Sequence, residues 1–215
     1  KWRGDGRMNI QARDIRKHRL VGSAKLAFAQ RGYHETTISE IVRQAGIARS
    51  TFYQYFDSKL HLFESILESF LQDLHESIEP ISMAAGSPAP LTQIQDNLTR
   101  VLNLVLGEGD LTRILMHNTG ALDRTMVGSL EEFYSQAAGM IQRSLNLGIA
   151  MNLVRPCDTQ IVSYSIIGAV KEVIFQVTAS IDVRPSTPEL VTQLLEFAMG
   201  GILVQSQHSL VRSPR

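Results

Sequence analysis

This chain is poor in the features that mark secreted, membrane or catalytic proteins. Its 215 residues hold one cysteine, Cys157, so no internal disulfide can form, which suits a reducing compartment. Pro156 and Asp158 flank it and no Cys or His lies nearby in sequence, so it reads as a structural thiol rather than a nucleophile. Nowhere do about 18 apolar residues run together, and no membrane-spanning helix is expected. The opening KWRGDGRMNI carries charge without a following apolar run, so it is no signal peptide. Its first residue is Lys rather than Met, as in a trimmed sequence. The expectation is a soluble cytoplasmic protein with no membrane partner.

Catalytic patterns are equally scarce. HExxH, a Gly-rich phosphate loop and GxSxG do not occur. Glu64 and Glu68 stand at i, i+4, as do His75 and Glu79, a spacing that marks solvated helix faces far more often than metal or acid–base sites. No enzyme activity, metal or cofactor is therefore expected. Strict strand alternation, internal repeats and low-complexity tracts are also missing.

What is present is an asymmetry of charge. The net charge is zero, yet residues 1–60 hold twelve Lys/Arg against five Asp/Glu, a net +7. Residues 61–215 hold nine against sixteen, a net −7. A basic head on an acidic body suggests a polyanion-binding part joined to a part with another task.

Helical periodicity runs through almost the whole chain. Leu20, Ala24, Ala27 and Phe28 line one face of a first helix, about residues 13–31, ended by Gly32. Thr37 and Glu40 form a capping-box signature, T-I-S-E, for a short second helix with Ile38, Ile41, Val42 and Ala45 inward. Gly46 breaks it. A third helix is expected at about 48–55, with Phe52 and Phe56 inward, then a long fourth at about 59–78. Ser82 to Pro90 is the clearest loop. Further helices are expected at about 91–106, 111–118, 122–147 (with a break near Gly128), 158–180 and 188–204. Thr187 is the expected cap of the last, with Pro188 in its first position. The fold class is all-α: a three-helix head, residues 1–57, and a larger helical body, residues 58–215.

Two short helices broken by a glycine in a basic segment are the pattern of a helix-turn-helix. Apolar residues 38, 41, 42, 45, 47, 52 and 56 lock the pair. The outward set of the third helix is Arg49, Ser50, Thr51, Tyr53, Gln54 and Tyr55, none acidic. Arginine can contact guanine through two hydrogen bonds, and hydroxyls can bond bases or phosphates. Lys59 opposes its own helix dipole, which a nearby phosphate would reverse; an exposed, tolerated lysine is the plain alternative. The arm residues Lys1, Arg3, Arg7 and Arg13 can add phosphate contacts or form an unstructured tail, and the tail is the reading adopted from sequence.

Leu20 to Phe63 resembles the TetR family of bacterial transcriptional regulators. The resemblance runs through LVGSAKLAFAQRGY, Thr36-Thr37, Ala45-Gly46-Ile47, ARSTFYQYF and Asp57-Ser58-Lys59-x-x-Leu62-Phe63. It implies that Thr37 and Lys59 hold phosphates and that Arg49, Ser50 and Thr51 face bases or nearby backbone. Tyr53 and Tyr55 would bond the backbone, with Gln54 beside them. Two positions depart from the family pattern: Val42 stands where alanine is common, and Ala48 where a capping serine is common. Ala48 cannot cap, so the helix should begin at Arg49 or Ser50.

The resemblance further implies a ligand-responsive regulator, a repressor, that binds a palindromic operator in double-stranded DNA as a homodimer through its last two helices. Both helices are apolar on more than one side, as a helix with several partners should be. A small-molecule effector, apolar or aromatic, is expected among Leu102, Leu106, Met116, Phe133, Tyr134, Met140, Tyr164 and Phe175, with His117 and Asn118 able to orient it. The alternative is a helical small-molecule-binding or adaptor protein whose head no longer reads DNA. The outward residues Arg49, Tyr53, Tyr55 and Lys59 argue against it.

Overall fold

The computed structural model describes residues 5–116, 124–179 and 185–202. Among them are nine α-helices and no strand, so the all-α class holds. Lys1, Arg3, His117, Asn118 and the end of the last helix beyond residue 202 lie outside the described residues, as do the side chains of Arg7 and Met116.

The chain divides into two compact units. The first combines residues up to Pro80 with Arg100–Tyr134. Its longest helix, α1 (Asp5–Arg31), ends where Gly32 takes a φ of 83°, a left-handed conformation that glycine adopts without penalty. α2 (Ile38–Ala45) and α3 (Arg49–Phe52) follow, then α4 (Lys59–Ser77). α1 packs on α2, α4 and α6, and α2 packs on α3. Leu20, Ala24 and Phe28 of α1 and Ile41, Val42 and Ala45 of α2 are buried, as are Phe52, Phe56, Leu62 and Phe63. Phe28, Tyr33 and Phe63 form an aromatic cluster with ring centroids 5.3–6.0 Å apart. Burying each such side chain contributes about 1.5–3 kcal/mol. Phe63 brings the start of α4 into this cluster.

The same unit includes the C-terminal part of α5 (Pro90–Gly107), α6 (Gly109–Met116) and the start of α7 (Arg124–Ala150). α6 sits against α1, and Lys25 Nζ of α1 donates to Glu108 at the α5–α6 junction over 2.6 Å. α7 runs without a break through Gly128, contrary to the expected interruption. Each of the three glycines in this 27-residue helix, Gly128, Gly139 and Gly148, costs about 1 kcal/mol, too little to end it.

The second unit holds residues 81–99 and the chain from Ser135 onward. The loop before α5 is tied down by Gln93, whose side chain bonds Ser82 N, Ser82 O and Pro88 O. Where α7 turns toward α8 (Thr159–Ala179), a Cβ on Gly148 would lie 2.7 Å from Val154 Cγ2, so glycine is needed there. Asp158 caps α8 by accepting from Gln160 N and Ile161 N. α9 (Thr187–Ile202) is capped by Ser186 rather than Thr187: Ser186 and Glu189 bond one another's backbone N–H, a second capping box.

Candidate nucleic-acid interface

The recognition segment is built by local chemistry on either side of Gly46. Thr37 Oγ1 accepts from Glu40 N, and the Glu40 carboxylate accepts from Thr37 N in return. Those hydrogen bonds, with Arg31 and Arg43 nearby, hold the Glu40 carboxyl below the usual carboxylate range. At the other end Gly46 takes a φ of 64° and donates its N–H back to α2. α2 is thus fixed at both ends, and the chain leaves it at the angle that presents α3.

α3 is a single helical turn, Arg49–Phe52, shorter than the eight residues expected. Ala48 offers no side-chain cap, so the helix begins at Arg49, the later start that the sequence implies. Past Phe52 the backbone tightens: Gln54 N donates to Thr51 O and Tyr55 N to Phe52 O, both i→i−3 bonds. Phe52 and Phe56 stay buried, which turns the residues between them outward.

Arg49, Ser50, Tyr53 and Gln54 are exposed, while Thr51 and Tyr55 are half-buried. Arg49 Nη1 donates to Ser39 Oγ at 3.1 Å, and Nη2 lies 3.5 Å from the Tyr53 hydroxyl. Ser39, in α2, is a member of this polar cluster that sequence reasoning passed over. Its one signal is an outward polar position in α2. The Tyr55 hydroxyl donates to Arg13 O at 3.1 Å, which turns it onto α1.

Lys59 points inward. Its Nζ donates to the carbonyl oxygens of Tyr33 (2.6 Å), Thr36 (2.8 Å) and His34 (3.2 Å) and lies 4.3 Å from the centre of the Tyr33 ring. The ammonium therefore gathers the α1–α2 turn, the segment that delivers Thr37, while Ser58 caps α4 beside it. Thr36, fully buried, secures the same turn by donating to Gly32 O and Ala27 O. The helix-dipole penalty of a lysine at this position is offset by three carbonyl partners.

The residues expected around an effector are distributed over both units. In the first, Leu102 and Phe133 are buried and Leu106 is half-buried. Phe133 stacks on Phe70, and the Tyr134 hydroxyl donates to Leu115 O at 3.0 Å. Burial pushes the Tyr134 hydroxyl up to about 12. In the second, Met140 and Phe175 are half-buried and Tyr164 is exposed. Two clefts, of about 350 and 330 Å³, open on the head, one beside Tyr55 and one between α1 and α2.

A capped first helix, a left-handed glycine and a second helix with an exposed polar face define the helix-turn-helix class of DNA-binding proteins. Residues 20–66 match the family described as "Bacterial regulatory proteins, tetR family". Residues 20–66 thus carry the DNA-binding domain of the TetR family. The chain is similar to the HTH-type transcriptional regulator HbdR of Aromatoleum sp. (strain CIB), 23% identical over 156 residues that cover 71% of this chain and 66% of that one. It is also similar to the HTH-type transcriptional activator FasR of Mycolicibacterium smegmatis, 37% identical over 71 residues covering 33% of this chain and 32% of that protein. The matched stretch thus spans just under two thirds of the first relative and about a third of the second. Among solved structures, a TetR-family regulator from Syntrophomonas wolfei has a TM-score of 0.74 at 18% identity, covering 89% of this chain and 98% of that one. The transcriptional regulator FadR of Bacillus subtilis, solved in complex with stearoyl-CoA, has a TM-score of 0.69 at 20% identity, covering 86% and 98%.

Proposed function

We propose that the chain is a sequence-specific DNA-binding transcriptional regulator, a repressor, that reads an inverted-repeat operator as a homodimer in the cytoplasm. The observation that carries this reading is the exposed Arg49–Ser39–Tyr53 cluster with Ser50 and Gln54, held between the buried Phe52 and Phe56 and the doubly capped α2. Such a surface offers donors and acceptors to base edges and phosphates, and no acidic side chain opposes them. The test is selection of bound sites from random duplex DNA. An enriched inverted repeat is expected. Recovery of no preferred sequence would favour the adaptor reading and overturn this one.

Self-association is supported by the second unit. Ile161 is 64% exposed, Tyr164 50% and Phe197 76%, all on the last two helices. The stretch Thr159–Thr178 has a mean hydropathy of 1.4, enough by length and composition to cross a membrane, yet only 11% of it is buried within the chain. Lys171 and Glu172 in that stretch would be costly in hydrocarbon. A second copy of the same two helices covers the apolar surface without placing those charges in hydrocarbon.

The effector reading assigns Leu102, Leu106, Met116, Phe133 and Tyr134 to the first unit and Met140, Tyr164 and Phe175 to the second. Their largely apolar character fits an aliphatic or aromatic molecule. That structural neighbours include FadR bound to stearoyl-CoA and a fatty acid degradation regulator supports the aliphatic choice. A ligand that prefers one conformation changes DNA affinity by its differential affinity for the two states. Thermal-shift screening against acyl-CoA esters and aromatic acids, followed by loss of operator binding, tests it.

A further inference from the structure

We propose that the N-terminal half of α1 forms a second DNA-contacting surface, laid on the phosphate backbone flanking each half-site. This inference rests on the DNA-binding reading above and deepens it. The face of α1 that meets the core at Leu20, Ala24 and Ala27 continues toward the N-terminus through Lys17 and Arg13, at helical spacings of three and four residues. The stripe is apolar where the core lies beneath it and cationic where the core has ended. Residues 13–19 are all exposed, and they hold Arg13, Arg16, Lys17 and Arg19 against one acid, Asp14. Among the described residues, neither Arg16 nor Lys17 enters an ion pair.

This cationic stripe is held against the reading head at two places. Tyr55 donates its hydroxyl to Arg13 O, and the Arg13 guanidinium lies 5.7 Å from the centre of the Tyr55 ring. Further along, Arg19 Nη2 lies against Gly46, 2.9 Å from where a Cβ there would stand. Between α1 and the end of the recognition segment opens a cleft of about 350 Å³ lined by Arg13, Asp14, Lys17, Gln54 and Tyr55. Because the cleft shares Gln54 with the base-reading surface and adjoins it through Tyr55, its occupant is the backbone of the same duplex. Residues 5–19 of α1 reach about 22 Å at 1.5 Å per residue, well over half a duplex turn of about 34 Å.

The test uses the operator recovered by site selection, in two lengths. One duplex ends at the outer edges of the half-sites, and the other carries about ten more base pairs, one helical turn, on each side. The wild-type chain should bind the longer duplex about tenfold more tightly. The double variant Arg16→Gln/Lys17→Gln should lose that increment and bind the short duplex as before. The slope of log affinity against log salt on the long duplex should fall by about 0.9 for each phosphate that the variant no longer neutralises. Circular dichroism checks that the variant is folded. Equal wild-type affinity for both lengths overturns the proposal, as does a variant that keeps the increment. Failure of the wild-type chain to bind either duplex instead sinks the DNA-binding reading itself.

Discussion

The Lys59 ammonium stands 2.6 Å from the carbonyl oxygen of Tyr33 and 4.3 Å from the centre of the same residue's ring, so one residue supplies both a hydrogen-bond acceptor and a π face. Tyr33 lies in the turn after α1 and Lys59 opens α4, and the link between them fixes the turn from which α2 starts.

Lys59→Ala removes three charge-assisted hydrogen bonds and leaves their carbonyls to water. Unfolding by urea should show a loss of about 2 kcal/mol. Affinity should fall for all DNA sequences alike, because the turn that carries Thr37 loosens. The salt dependence of binding should stay unchanged, since every phosphate keeps its partner. A slope that dropped by about 0.9 would return Lys59 to the phosphate role implied by resemblance.

Arg49→Ala should alter which bases are preferred at one position of each half-site, with a discrimination loss of about 1–3 kcal/mol. Repeating site selection with the variant measures it. Ser39→Ala removes the hydroxyl that orients the guanidinium and should broaden the preference in the same position. Unchanged selection profiles for both would remove Arg49 from base reading.

Ile161→Arg combined with Phe197→Arg places charge on the exposed apolar surface of α8 and α9. Sedimentation or light scattering at micromolar concentration should report dimers for the wild-type chain and monomers for the variant, with operator affinity falling sharply. A wild-type chain that is monomeric in the same range refutes the dimer, and partition into lipid vesicles would point to a membrane instead.

Tyr134→Phe deletes the hydrogen bond to Leu115 O and should cost about 1 kcal/mol. The wild-type hydroxyl is pushed up to about 12, against about 10 for tyrosine in an unfolded chain. A group with a raised folded value stabilises fully below the unfolded value and progressively less as pH climbs through the folded one. The melting temperature should therefore lose a Tyr134-dependent part between about pH 10 and 12, and the Phe variant should lack that part.

Much of this architecture is written in local patterns. The 3.6-residue apolar spacing locates the helices, and T-I-S-E announces the Thr37–Glu40 box that the structure contains. The same logic spells S-T-P-E from Ser186 to Glu189, where the adjacent threonine and proline point one residue too far along. α3 is shorter than expected because its end is set by two buried phenylalanines four residues apart, not by its own propensity. The direction of Lys59 is not legible at all. Its partners are backbone carbonyls more than twenty residues away, and carbonyls have no letter in the sequence. The cationic stripe on α1 is legible as charge, but its alignment with Tyr55 requires the tertiary fold.

A four-residue α3 is about 6 Å long at 1.5 Å per residue, and a strand of duplex DNA advances about 3.4 Å per base. α3 by itself therefore spans about two base steps, and a word that short recurs constantly in any genome. In the homodimer proposed above, the address of a particular gene is encoded in the pairing of two such words and in the gap between them. Changes that alter that gap, even by a fraction of a duplex turn, would erase the address while leaving each word perfectly readable.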